Sequence, residues 1–124
     1  MESYDPDLAP DSEEWKLADE GERLMYITDY VRANEPEVAD DPSRLMLHAG
    51  LHNVVESQIA LGDEVPTGAA MERLIAGGLS RHEAIHAAAT VIVSLLFDPA
   101  QAKSDTWRRE MEGITAESWL ASFR

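Results

Sequence analysis

The sequence predicts an all-α fold, a compact bundle of about five helices with an acidic, partly flexible N-terminal tail. Three observations predict it. Apolar residues recur every three or four positions through most of the chain. No segment sustains the period-two alternation of a half-buried strand. Helix start and stop signals punctuate the chain: Asp41-Pro42, Ser80-x-x-Glu83 and Asp98-Pro99 as starts, Gly62, Gly77-Gly78 and Gly113 as stops.

Residues 1–11, "MESYDPDLAPD", carry two prolines and four acids without apolar period, and read as an extended or mobile tail ahead of a single helical domain over 12–124. Ser12 is the expected N-cap of a first helix running to about Asn34, with Glu13 and Glu14 in its first turn and Gly21 able to bend or split it. Leu17, Leu24, Ile27 and Val31 follow helical spacing, and Trp15 can join them. "EPEVAD" reads as a loop. Asp41-Pro42 then opens a second helix: Asp accepts from free amides, and Pro suits a first turn whose N–H would be unpaired anyway. That helix runs to about Leu61, where Gly62 stops it, and "DEVP" forms the turn. A shorter helix covers about 67–76, with Met71, Leu74 and Ile75 apolar. Ser80 begins the fourth, through "RHEAIHAAATVIVSLLF"; Asp98-Pro99 begins the fifth, to about Glu112; a last short helix follows Thr115.

The chain of 124 residues suits one domain. It has 44% hydrophobic but only 6% aromatic residues, so its core must be mostly aliphatic. The net charge is −14, and residues 1–22 hold nine acids against Lys16 alone. Such a surface repels phosphate backbones and anionic lipid, which argues against nucleic-acid and membrane partners. A homodimer or a protein partner remains open, with Trp107 and Trp119 as candidate contacts or as core residues. Without a run of about twenty apolar residues or a basic leader, the expected location is cytoplasmic. Without cysteine, any metal must be held by His or carboxylate.

The four histidines form two pairs, His48/His52 and His82/His86, each at i, i+4 and so one turn apart on one helical face. Glu56 extends the first stripe by a turn. At ~100° per residue, Leu45, His48, His52, Val55, Glu56 and Ile59 share one face of the second helix, opposite Gly50, Asn53 and Ser57. On the fourth, His82, Ile85, His86, Ala89, Val93 and Leu96 share another, and Ala84, Ala87, Ala88 and Ala89 are small enough for close helix approach. An up-down-up path sets the two helices roughly parallel, and a one-turn stagger brings the pairs level. Imidazoles facing a core need partners: a metal ion, carboxylates or water. The expected metal ligands are His48, His52, Glu56, His82 and His86, for zinc first, with iron, manganese or nickel admitted by the carboxylate. A single Glu-x-x-His, Glu83-x-x-His86, occurs, where di-iron bundles use two.

His82-Glu83-x-x-His86 also matches a zinc-hydrolase motif, with Glu83 as the catalytic base. Three features weigh against it. Ser80-x-x-Glu83 is a capping box that occupies the glutamate, no strand exists to hold a peptide, and Glu110, Glu112 or Glu117 would have to serve as third ligand. The other alternative is an acidic interaction or structural module whose histidines form a buried polar cluster.

"WKLADEGERL", "LHAGLHNVVESQIALGDEVP" and "MERLIAGGLSRHEAIHA" together resemble the bacterial family catalogued as domain of unknown function 1841, over about residues 15–97. The resemblance implies a compact helical bacterial protein whose signature positions are His48, His52, Glu56, His82, Glu83 and His86. It implies no activity. Members often carry His after the Tyr of the first helix, where this chain has Val31 after Tyr30, so a fifth imidazole is missing.

Overall fold

The computed structural model describes residues 1–98, 100 and 105–123, with the side chains of Ser94 and Leu96 set aside. Among them are eight helices and no strand: α1 (Ser12–Leu17), α2 (Glu20–Asn34), α3 (Pro36–Ala39), α4 (Pro42–Ala60), α5 (Thr67–Ala76), α6 (Arg81–Phe97), α7 (Thr106–Gly113) and α8 (Ala116–Ala121). A 3-10 turn, Gly62–Glu64, joins α4 to α5.

The expected first helix is two. The chain is extended at Ala18, and the Asp19 side chain accepts from the Glu22 amide at 2.8 Å to start α2 afresh. The break therefore comes before Gly21 and is made by a cap. Asp11, rather than Ser12, caps α1, accepting from the Glu14 amide at 3.0 Å. Because the helical register restarts at Asp19, Leu17 leaves the stripe of Ile27 and Val31: it is 85% exposed, while both of those are fully buried. "EPEVAD" holds a single turn, α3, opened by Pro36.

The Asp41-Pro42 start of α4 stands as expected, with Asp41 accepting from the amides of Ser43 and Arg44. So does the Ser80/Glu83 capping box of α6: the Ser80 amide donates to Glu83 and the Glu83 amide to Ser80 Oγ, each at 3.0 Å. Gly78, at φ +109°, makes the turn between α5 and α6 that a side chain would strain. The start expected at Asp98-Pro99 falls partly outside the described residues, as does Leu96 of the α6 stripe. The described part of α7 begins at Thr106.

α4 packs against α1, α2, α3, α5 and α6, and so divides the interior in two. On one side Val55 joins Leu74, Ile85, Ile92, Trp107 and Met111; on the other Leu45 and Ala49 join Tyr4, Trp15, Ile27 and Val31. Trp107 is thus a core residue, and Trp119 packs partly against the same cluster. Covered on so many sides, α4 keeps no polar face in its second half: Asn53 is buried and Ser57 accepts from Trp15 Nε1 at 3.0 Å. Ala84, Ala87 and Ala88 are fully buried, so α6 comes close to its neighbours as their size suggested.

Residues 1–11 form no helix but a turn, closed by the Leu8 amide on Asp5 O at 3.0 Å, and they are anchored to the bundle rather than mobile: Tyr4 and Pro6 are buried, and Asp7 accepts from the His82 amide at 3.0 Å.

The two leucine-like positions of the N-terminal half should separate cleanly in urea melts. Ile27→Ala should destabilise by about 2–5 kcal/mol through the cavity it leaves. Leu17→Ala should stay within about 0.5 kcal/mol, as exposed substitutions do.

Candidate metal centre

The two His-x-x-x-His pairs lie beside each other on the packed helices α4 and α6. Ring centroids are 5.3 Å apart for His48 and His86, and 5.4 Å for His52 with both His82 and His86. The order of these contacts, with Glu56 meeting Arg81 beyond them, shows that numbers rise along α4 as they fall along α6. The helices are locally antiparallel, not parallel as the up-down-up path suggested. At 1.5 Å per residue α5 spans only about 15 Å against about 28 Å for α4, too short to carry the chain back to the start of α4 before α6 begins. The antiparallel register needs no stagger: it places the first turns of α6 against the second half of α4, where His52 and Glu56 lie.

Two groups of donor atoms arise, His48/His52/His86 and Glu35/His82/His86, each with its atoms within 4.8 Å of one another. The Nε2 atoms of all four histidines are buried and make no hydrogen bond, and neither does Glu35 Oε2. Glu35 spans the cluster nonetheless. One carboxylate oxygen is 3.0 Å from His48 Nε2 and the other 3.4 Å from His82 Nε2, close in distance but off the line a hydrogen bond needs. Tetrahedral zinc holds neighbouring nitrogens ~3.3 Å apart, so closure around an ion would ask for a movement of ~1 Å of Nε2 atoms that make no competing hydrogen bond.

Glu35 was not visible in the sequence as a donor. It stands where α2 ends and α3 starts: its amide donates to Val31 O at 2.7 Å, and the following Pro36 restricts its backbone. A residue set by a junction follows no helical period, and the acid-rich composition hides it among twenty-three others. The Pro after it was the only local signal.

Glu56, expected among the ligands, is placed otherwise. Arg81 grips it with two bonds, Nη1 to Oε2 at 2.8 Å and Nη2 to Oε1 at 2.7 Å, and Tyr4 donates its hydroxyl to Oε2 at 2.7 Å. The carboxylate belongs to neither donor group. Its effect on the cluster passes through Tyr4. The single hydroxyl proton of Tyr4 goes to Glu56, so its oxygen must accept from His52 Nδ1 at 3.0 Å. That fixes the His52 tautomer with hydrogen on Nδ1 and a bare lone pair on Nε2, aimed at the other rings. A hydrogen bond from the far ring nitrogen is how metal-binding histidines are usually oriented.

Glu83, the base of the hydrolase reading, is exposed and turned to the Ser80 amide, whose hydrogen bond holds its carboxyl below the usual range. Glu110, Glu112 and Glu117 are exposed on α7 and α8 and join neither donor group.

Burial, and then the neighbouring imidazoles, push His52 down to about 2 and His86 down to about 4. Burial, with Glu56 adding to it, raises Tyr4 well above the phenol range. The His48, His52 and His86 side also borders a cleft of about 340 Å³ whose other walls are mainly apolar. No helix among the described residues is long and apolar enough to cross a membrane. No family model, curated protein or solved structure matches the chain.

Two outcomes follow for the metal-free protein. Arg81→Met leaves the Glu56 carboxylate buried without its partner and should destabilise by about 3–5 kcal/mol in a denaturant melt. Unfolded histidines take up protons below 6.5, while folded His86 resists until about 4 and His52 until lower still. The unfolded chain then binds more protons, so stability is full above about pH 6.5 and falls as pH drops towards 4. Urea midpoints measured in chelator at pH 7.5, 6 and 5 should decline in that order; an unchanged midpoint would mean the rings protonate freely within the fold.

Proposed function

We propose that this protein binds a divalent transition-metal ion between α4 and α6, through His48, His52, His82 and His86, with Glu35 as the carboxylate donor. One observation carries the reading: four histidines whose Nε2 atoms are buried and make no hydrogen bond fall into two donor groups that share His86. A cluster built only to hold the bundle together would satisfy such atoms within the protein, since each unpaired buried polar group costs about 1–3 kcal/mol. Cation binding at these overlapping groups would take up those lone pairs. Neutral rings are the form a metal needs, and burial keeps His52 and His86 neutral well below physiological pH.

The donor set has no thiolate and is dominated by imidazole, which suits zinc at four ligands. With Glu35 counted, five donors are at hand, a number that also serves iron, manganese or nickel. Glu56 is the positioning residue of His52 rather than a ligand. A hydrolase of the His-Glu-x-x-His type has no support in the placement of Glu83. The resemblance noted in the sequence implies no activity, so the reading rests on geometry alone.

Purified without chelator, the wild-type protein should carry stoichiometric metal by elemental analysis. Added metal at 100 times its Kd should stabilise the fold by about 2.7 kcal/mol. The double variant His52→Ala, His86→Ala should lose the metal. Tyr4→Phe should keep the ion but bind it about 10–100-fold more weakly, because the bond that orients His52 is gone while every ligand remains. A metal-free wild type whose Tm does not move with zinc or nickel would overturn the proposal.

A further inference from the structure

The cleft beside the centre is the part of the site that five donors do not account for. It holds about 340 Å³, at the small end of ligand pockets. His48, His52 and His86 form one wall, and Leu51, Ile85 and Val93 form most of the rest. Glu35 and His82 do not line it. His48, His52 and His86 are at once one of the two donor groups and a wall of the cleft, so a six-coordinate ion held by the five proposed donors would keep one position, on the side of the cleft.

We infer that this cleft binds a small aliphatic carboxylate, its carboxylate on the ion and its tail against Leu51, Ile85 and Val93. The inference rests on the metal reading above. The head group follows from charge. Neutral imidazoles leave the ion's charge unopposed on the cleft side, and no Asp, Glu, Lys or Arg lines the cleft. An anionic oxygen is the complementary donor. The tail follows from the walls, whose only polar side chains are the histidines and Thr90, and the Thr90 hydroxyl already donates to Ala87 O at 2.6 Å. The acidic surface repels carboxylates at long range, so the site favours those whose tail gains from burial over acetate.

The test uses the full chain loaded with cobalt(II), whose visible spectrum reports on its ligands, titrated with acetate, butyrate, hexanoate and octanoate. Cobalt uptake is measured first. The spectrum should then change with each acid, and the half-saturating concentration should fall about fourfold per methylene until the cleft is filled, the factor that follows from burying a CH₂. Val93→Trp, which fills the cleft from its rim, should take up cobalt with the wild-type spectrum and lose the dependence on tail length. Failure to take up cobalt overturns both this inference and the metal reading. Uptake followed by an unchanged spectrum, or by equal responses to acetate and octanoate, overturns the carboxylate site and leaves the metal reading standing. A Val93→Trp protein that still discriminates by tail length would place the ligand elsewhere and overturn it too.

Discussion

The paired bonds between Arg81 and Glu56 hold together three parts of the chain that are far apart in sequence. Arg81 is the first residue of α6 and Glu56 lies in the second half of α4, so their contact sets the register of the two helices. Arg81 also donates to Pro6 O at 2.9 Å, and Glu56 accepts from Tyr4, so the same pair ties down the N-terminal segment. A carboxylate with a side-chain exposure of 1% could not remain charged there without such a partner. Once it is charged and fixed, it orders outward: Glu56 directs Tyr4, Tyr4 directs His52, and the His52 lone pair faces the other imidazoles.

The cluster itself is costly to fold. Four rings and a carboxylate lie together on α4, α6 and the end of α2, where burial and the neighbouring rings make His52 and His86 harder to protonate. Apolar residues of similar size would pack there without this penalty. Most of the unpartnered buried atoms among the described residues lie in this cluster, on α4, α6 and Glu35 next to an apolar cleft. Concentrated strain of this kind points to a ligand that relieves it, and imidazole lone pairs are relieved by cations.

Local chemistry was legible from the residues themselves. Asp41, Ser80 and Glu83 cap helices because their side chains reach amides within one turn, and such contacts need nothing from the rest of the fold. The pairing of His48 with His52 and of His82 with His86 is likewise a property of one helix. Where the structure departs from the local pattern, a distant contact or a competing cap intervenes. Asp19 restarts a helix and turns Leu17 outward; the packing around α4 buries Asn53; Arg81 pairs with Glu56, which joins neither donor group.

The sequence by itself determined an all-α chain, its principal helix starts and the two histidine pairs, since each depends on side chains within about a turn of one another. Only the tertiary structure decided that α4 and α6 run in opposite directions, that Glu35 replaces Glu56 beside the imidazoles, and that Tyr4 selects the His52 tautomer. These depend on which helix ends meet in space. Tyr4 and His52 are 48 residues apart, and no periodicity within a helix carries information across that distance.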